Sequence, residues 1–305
     1  SLQSAGNGEW RINQLPGGAR HRQREQRQWP VNYVDYLLAG NPEWTDFTLQ
    51  PALRRMATRW FREGMTESYA NHAVAPRPRP NMPALTPDAS PGEMTRELLR
   101  VSDGIVFGEK HDQISTNVML IKNMQGYAEA GVTTLYLEGA YWNSANGVGG
   151  VWQTPADGKK YKRGTPTRDD VLAAAQQHGI KIVGLEHEHL TMHVTRSEEG
   201  EAANARHTTE RLHEFNYFAS KVIQQTPPGE KWIAVVGRRH MNTTQGVPGI
   251  AEQTGAISVG VYDAPQGASS NAVRHTGPRP APEGKFTANE TVGDYQVHQN
   301  VDPYL

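Results

Sequence analysis

GIVFGEKHD, residues 104–112, is the stretch on which the fold reading turns. Its first six residues are apolar or glycine up to Glu109, with no polar alternation, so a strand over 104–109 would be buried on both faces. Four more runs share this character: TTLYLEG (133–139), IKIVGLE (180–186), KWIAVVG (231–237) and ISVGVY (257–262). Helical patterns lie between them. Val118, Ile121, Met124 and Ala128 form one face ending at Gly131. Thr167 opens TRDDVLAAAQQHG, with Asp169 and Asp170 in the first turn and Gly179 as terminator. Residues 201–225 predict one long helix, and 247–254 a short one before Gly255. Doubly apolar strands alternating with helices predict an α/β fold: a mostly parallel central sheet covered by helices on both faces.

Working outward, EMTRELLRVS (93–102) predicts a helix leading into the first strand. Before it, the prolines of residues 73–93 forbid a regular helix and predict an extended connector. Residues 31–72 predict a helical extension, with Leu53, Met56, Trp60 and Phe61 on one face. Residues 1–30, rich in Gln, Arg and Gly, read as a disordered or loose arm. The α/β domain then occupies 94–262. The tail, 263–305, is poor in large aliphatics and predicts a wrapping or loose segment.

Composition narrows the function. Lys+Arg is 31 and Asp+Glu is 32, for a net charge of −1, which argues against a nucleic-acid partner bound by phosphate neutralisation. There is no cysteine, hence no disulfide, thiol nucleophile or Cys metal ligand. No apolar run approaches the roughly 18 residues of a transmembrane segment. An ordinary export signal is not seen at the start of the sequence. Lysine is absent before Lys110, although arginine is frequent there.

Parallel sheets gather ligands beyond the carboxyl ends of their strands. Those ends carry chemistry here. Glu109-Lys110-His111-Asp112 follows the first strand, Glu138 ends the second, Glu186-His187-Glu188-His189 ends the third, and Arg238-Arg239-His240 follows the fourth. Two Glu and two His could ligate a divalent cation. Alternatively a His could act as general base, oriented by a carboxylate, with Arg238 and Arg239 holding an anionic group. Singly, Glu109 and Glu138 could be helix caps, and His111 and His240 surface or packed histidines. His189 and His193 have helical metal-ligand spacing, but there is no HExxH, and they read as surface residues. The phosphate-loop, dinucleotide and GxSxG signatures are absent.

A strand running into Gly108-Glu109-Lys110-His111, a strand ending in Leu137-Glu138-Gly139, and a late strand running into Gly237-Arg238-Arg239-His240 together resemble the erythromycin esterase/ChaN-like superfamily, which includes TIKI-type proteases. The resemblance covers about 103–262. In size and style the chain is most similar to the HopBA-type type III effectors of plant-pathogenic pseudomonads. The resemblance implies Glu109, His111, Glu138 and His240 as the catalytic set, with His111 the base. It implies a substrate-binding role for Arg206; Arg238, Arg239 and Glu186 join it as residues of the same edge. It further implies a secreted, hydrolase-like virulence protein acting in the cytoplasm of a host plant cell and triggering its death. Its partner would be a host substrate or a host immune receptor; the alternative function is a non-catalytic haem- or metal-binding ChaN-like protein, or an elicitor with a degenerate pocket recognised by a host immune receptor. No metal or other cofactor is expected, the alternative being a divalent metal or haem.

Overall fold

All five apolar runs are strands of one sheet. The computed structural model describes residues 77–142, 161, 162, 164–187, 190, 200–275 and 293–305, with Arg62, Met65, 2–4 and 10–12; for 2–4, 10–12 and 200–208 it describes the backbone alone. In chain order the elements are β1 (Leu2–Ser4), β2 (Trp10–Ile12), α1 (Pro91–Val101), β3 (Gly104–Glu109), α2 (Ser115–Glu129), β4 (Val132–Tyr141), α3 (Arg168–Gln177), β5 (Lys181–Glu186), α4 (Gly200–Ile223), β6 (Lys231–Gly237), α5 (Arg238–Met241), α6 (Ile250–Thr254), β7 (Ile257–Asp263), β8 (Asn271–Arg274) and β9 (Tyr295–Gln299). The seven-stranded sheet runs β5-β4-β6-β3-β7-β9-β8. Within this sheet only the β8–β9 pair is antiparallel.

Helix starts follow local chemistry. Ser90 and Glu93 form a reciprocal capping box at α1, with Pro91 in the first turn. Thr167 and Asp170 do the same at α3. Along the central strands, alternate residues enter two core clusters. Val106, Trp232, Ala234 and Val236 join Phe215, Phe218 and Val222 of α4 and Ile250 of α6. Ile105, Phe107, Ile233 and Val235 join Met94 and Leu98 of α1, Met119 and Met124 of α2, and Val171 of α3. Each such buried side chain stabilises the fold by at most about 1.5–3 kcal/mol. At Gly108 a side chain would meet Met241 Sδ at 2.7 Å and Arg238 Cα at 3.1 Å. Glycine there lets α5 lie against β3.

Outside the sheet core, the sequence expectations need adjusting. The tail is not simply loose: β9 pairs with β7 and carries β8 on its outer side. Tyr295 and Val297 are buried on alternate residues, a period-2 pattern too short to stand out as an apolar run. The described part of the proline-rich connector is tied to the domain. Arg79 donates to Ala256 O and pairs with Asp294, and Tyr295 Oη donates to Pro83 O at 2.6 Å. In the first thirty residues, β1 and β2 pair antiparallel, Leu2 opposite Ile12. Asn7-Gly8, a hairpin-turn dipeptide, lies between them in sequence. Of the expected helical extension, only Arg62 and Met65 are described. Both are helical, and Met65 is buried in the first core cluster. The rest of 31–72 lies outside the described residues. Among the described residues no helix is long and apolar enough to cross a membrane.

Candidate active site

Five neighbouring parallel strands deliver their carboxyl ends to one edge, and the titratable groups arrive with them. Glu109 is the last residue of β3 and Glu186 the last of β5. Gly237 ends β6, and His240 follows on α5. Glu138 lies within β4, three residues before its end. There the β4–β5 register shifts between Leu137 and Tyr141, and Gly139 has a φ of 83°. An irregularity of this kind re-aims side chains, and it falls at Glu138 itself.

Two linked ion-pair groups form. In the first, Arg168, the first residue of α3, donates from Nη2 to both oxygens of Glu109 at 2.7 Å. His111 Nδ1 lies 3.5 Å from Glu109 Oε1. The Nη1 of Arg168 is buried and has no hydrogen-bond partner among the described residues. In the second group, Arg211 of α4 donates from Nη1 and Nη2 to the two oxygens of Glu186, and from Nη2 to Glu138 Oε1 at 3.2 Å. The guanidinium also sits over the Phe215 ring, 4.7 Å from its centroid. Glu138 accepts from the Gly237 backbone N–H through its other oxygen. His240 Nε2 is 3.6 Å from Glu138 Oε1.

Gly237 joins the two groups. A side chain beginning there would lie 2.8 Å from His111 Nε2 and 3.3 Å from Glu138 Oε2. His111 and Glu138 therefore flank a space that only glycine leaves open. His240 is buried, its ring packed at 4.3 Å and tilted 52° against Phe215, and its Nδ1 is 2.7 Å from Asn216 Oδ1.

The electrostatics follow from this geometry. Burial would raise the Glu109 carboxyl, but Arg168 and the His111 contact outweigh it and hold it low. Burial would likewise raise Glu138, yet His240, Arg211, His111 and the Gly237 N–H bring it far below the usual carboxylate range. Glu186 goes the other way. Its burial, reinforced by the Glu138 charge, raises it despite Arg211. The Glu109 hydrogen bond, against partial burial and with both carboxylates helping, raises His111 to about 9.

Thus Glu109 and His111 form one group and Glu138 and His240 another; the two groups face each other across Gly237, and Glu186 joins the second through Arg211. Arg238 and Arg239 are half-buried on α5. Arg206 is on α4, but its side chain lies outside the described residues, as do His189 and His193. His187 packs among the Trp142 and Phe218 rings at 6.4 and 5.5 Å. Three network residues went unnoticed in the sequence: Arg168, Arg211 and Asn216. A signal existed for Arg211, which precedes Phe215 by one helical turn and so falls on the apolar stripe, where a charge must find a partner. Among the described residues no three His, Cys, Asp or Glu side chains are grouped to hold a metal ion. Glu109 and Glu138 already accept from arginines, so the donor set does not fit a resident metal.

Neither a protein-family model nor a curated protein matches the chain. Solved structures do. RRSP, a MARTX toxin effector domain from Vibrio vulnificus CMCP6, is 21% identical with a TM-score of 0.43, over 57% of this chain and 36% of that one. The type III effector HopBA1 is 12% identical with a TM-score of 0.47, over 74% and 98%. ChaN of Campylobacter jejuni, described as binding haem cofacially, is 14% identical with a TM-score of 0.38, over 70% and 91%. At this identity these are likenesses of fold. The chain spans only 36–41% of the length of the first three bacterial toxin structures it matches.

Proposed function

We propose that this chain is an effector- or toxin-like bacterial protein, secreted into a host plant cell, whose Glu/His network hydrolyses a host component. The observation that carries the reading is the Glu138 carboxylate, approached by His240 on one side and sharing the Gly237 gap with His111 on the other. Two imidazoles about a fixed carboxylate suit a reaction that takes one proton and gives another. The resemblance of the GExH, LEG and GRRH segments supplies the biological setting.

The balance of protons assigns the roles. His111, raised to about 9, holds its proton at neutral pH. The sequence reading takes His111 as the base; we assign it instead as the acid that protonates the leaving group, since the Glu109 carboxylate 3.5 Å from Nδ1 favours the protonated ring. In its neutral form His240 takes a proton from water at Nε2 as the water oxygen attacks, and Glu138 stabilises the imidazolium that forms. Glu109 orients His111, and Arg168 fixes Glu109. Loss of an acid or base of this kind lowers rates by roughly 10²–10⁴-fold.

The test is expression of the protein in the cytosol of plant cells. His111→Ala protein that remains folded is expected to lose the cell-death phenotype. A folded variant that kills as well as the parent would leave the surface, read by a host receptor, as the cause, and would end the hydrolase reading.

A further inference from the structure

Asn216 is fully buried on α4, and the two ends of its amide face different partners. Its Nδ2 donates to Pro248 O at 2.9 Å. A carbonyl oxygen can only accept, and this one also accepts from Gln253 Nε2 at 2.9 Å. Rotating the amide would set Asn216 Oδ1 against that carbonyl. Pro248 therefore fixes which end of the amide meets His240. That end is Oδ1, which lies 2.7 Å from His240 Nδ1 and can only accept. Nδ1 must carry a hydrogen. The other ring nitrogen faces Glu138 Oε1 at 3.6 Å, and the ring is clamped on Phe215.

We propose that Asn216 is a positioning residue that holds neutral His240 as its Nδ1–H tautomer, so that the only proton His240 exchanges is the one on Nε2, on the Glu138 side. This rests on the hydrolase reading for its purpose. In the step described above, a water O–H bond breaks, an Nε2–H bond forms, and the Nδ1–H bond to Asn216 is unchanged throughout. Among the described residues, Glu138 from β4 and, behind it, Arg211 from α4 are charged groups on the Nε2 side. On its own, Glu138 would draw the single proton of a neutral ring to Nε2 and leave no base. Asn216 opposes that.

The tautomer can be read without a substrate. Two-bond ¹H–¹⁵N spectra of the uniformly labelled protein are recorded over a pH series, with His240 assigned from the peak lost in His240→Gln. Neutral His240 is expected as Nδ1–H in the parent and in Asn216→Asp, and as Nε2–H in Asn216→Leu. An Nε2–H parent, an unaltered tautomer in Asn216→Leu, or a ring that keeps both protons until the protein unfolds would each overturn the proposal. Should Asn216→Leu not fold, Asn216→Asp decides: a carboxylate there must raise the pH at which Nε2 loses its proton, and an unmoved titration counts against the proposal. Since activity is not the readout, an inactive protein with an Nδ1–H ring would sink the hydrolase reading alone.

Discussion

Arg211 grips both oxygens of Glu186 with its two terminal nitrogens. One of those nitrogens also reaches Glu138, so a single guanidinium ties the ends of β4 and β5 to α4. Both Arg211 and Glu186 are almost wholly buried. A buried charge left without its partner is far more damaging than the pair itself is stabilising.

Arg211→Met should therefore destabilise the protein by about 3–5 kcal/mol, since it strands the Glu186 and Glu138 carboxylates. Arg211→Lys should recover only part of this, because an ammonium cannot fork onto two oxygens. Adding Glu186→Gln to Arg211→Met should restore stability relative to the single variant. Urea unfolding of the four proteins measures these differences.

His111 makes stability depend on pH in the alkaline range. Its folded-state value of about 9 lies above its ordinary 6.5. Folding thus favours the protonated form. That contribution is complete below about pH 6.5 and fades as pH rises through 9. His111→Ala should remove that contribution, lowering stability below about pH 6.5, flattening the curve between those limits and leaving only its slope unchanged elsewhere. The side chain is 60% exposed, so the effect is modest and shrinks with salt. Unfolding midpoints at pH 6 and pH 9.5, in low and high salt, test it.

Gly237→Ala needs no change of backbone, since Gly237 has a φ of −56°. Its methyl group would nonetheless fall 2.8 Å from His111 Nε2. The exposed imidazole should swing away while the fold stays intact. Its titration should then move from about 9 toward 6.5, as followed by NMR of the ring protons, with loss of the phenotype.

Asp294 accepts from the Ser258 N–H and hydroxyl, both at 2.9 Å, while pairing with Arg79 of the proline-rich segment. Asp294→Ala should release that segment from β7 and β9. Limited proteolysis should then cut near residues 77–86 at a rate well above the parent's, with a stability loss of roughly 1–3 kcal/mol.

The sheet was legible because β3, β6 and β7 are apolar on both faces, which only a covered parallel sheet requires. The edge that holds the site was legible for the same reason, since Glu109, Glu186 and Gly237 are strand ends. β9 was not, because Gln296 and His298 alternate with its three buried residues and one of those, Gln299, is itself polar. Arg168 reads in sequence as the first residue of an ordinary capped helix. What makes it a site residue is Glu109, 59 positions earlier. Arg211 and Asn216 likewise draw their meaning from partners that only the tertiary fold brings together. The bulge at Glu138 left no mark beyond Gly139.

The central claim is that Glu109, His111, Glu138 and His240 act as one unit. The direct measurement is the dose of delivered protein needed for half-maximal killing of host cells, for His111→Ala, His240→Ala and the double variant. Ile105→Ala, a buried β3 residue, is the control for a stability loss of about 2–5 kcal/mol without loss of the site. Groups that act as a unit are strongly non-additive. Each folded single variant should lose roughly 10²–10⁴-fold in potency, and the double should lose no more. Folded single variants with parental potency, or small losses that simply add, would contradict the account.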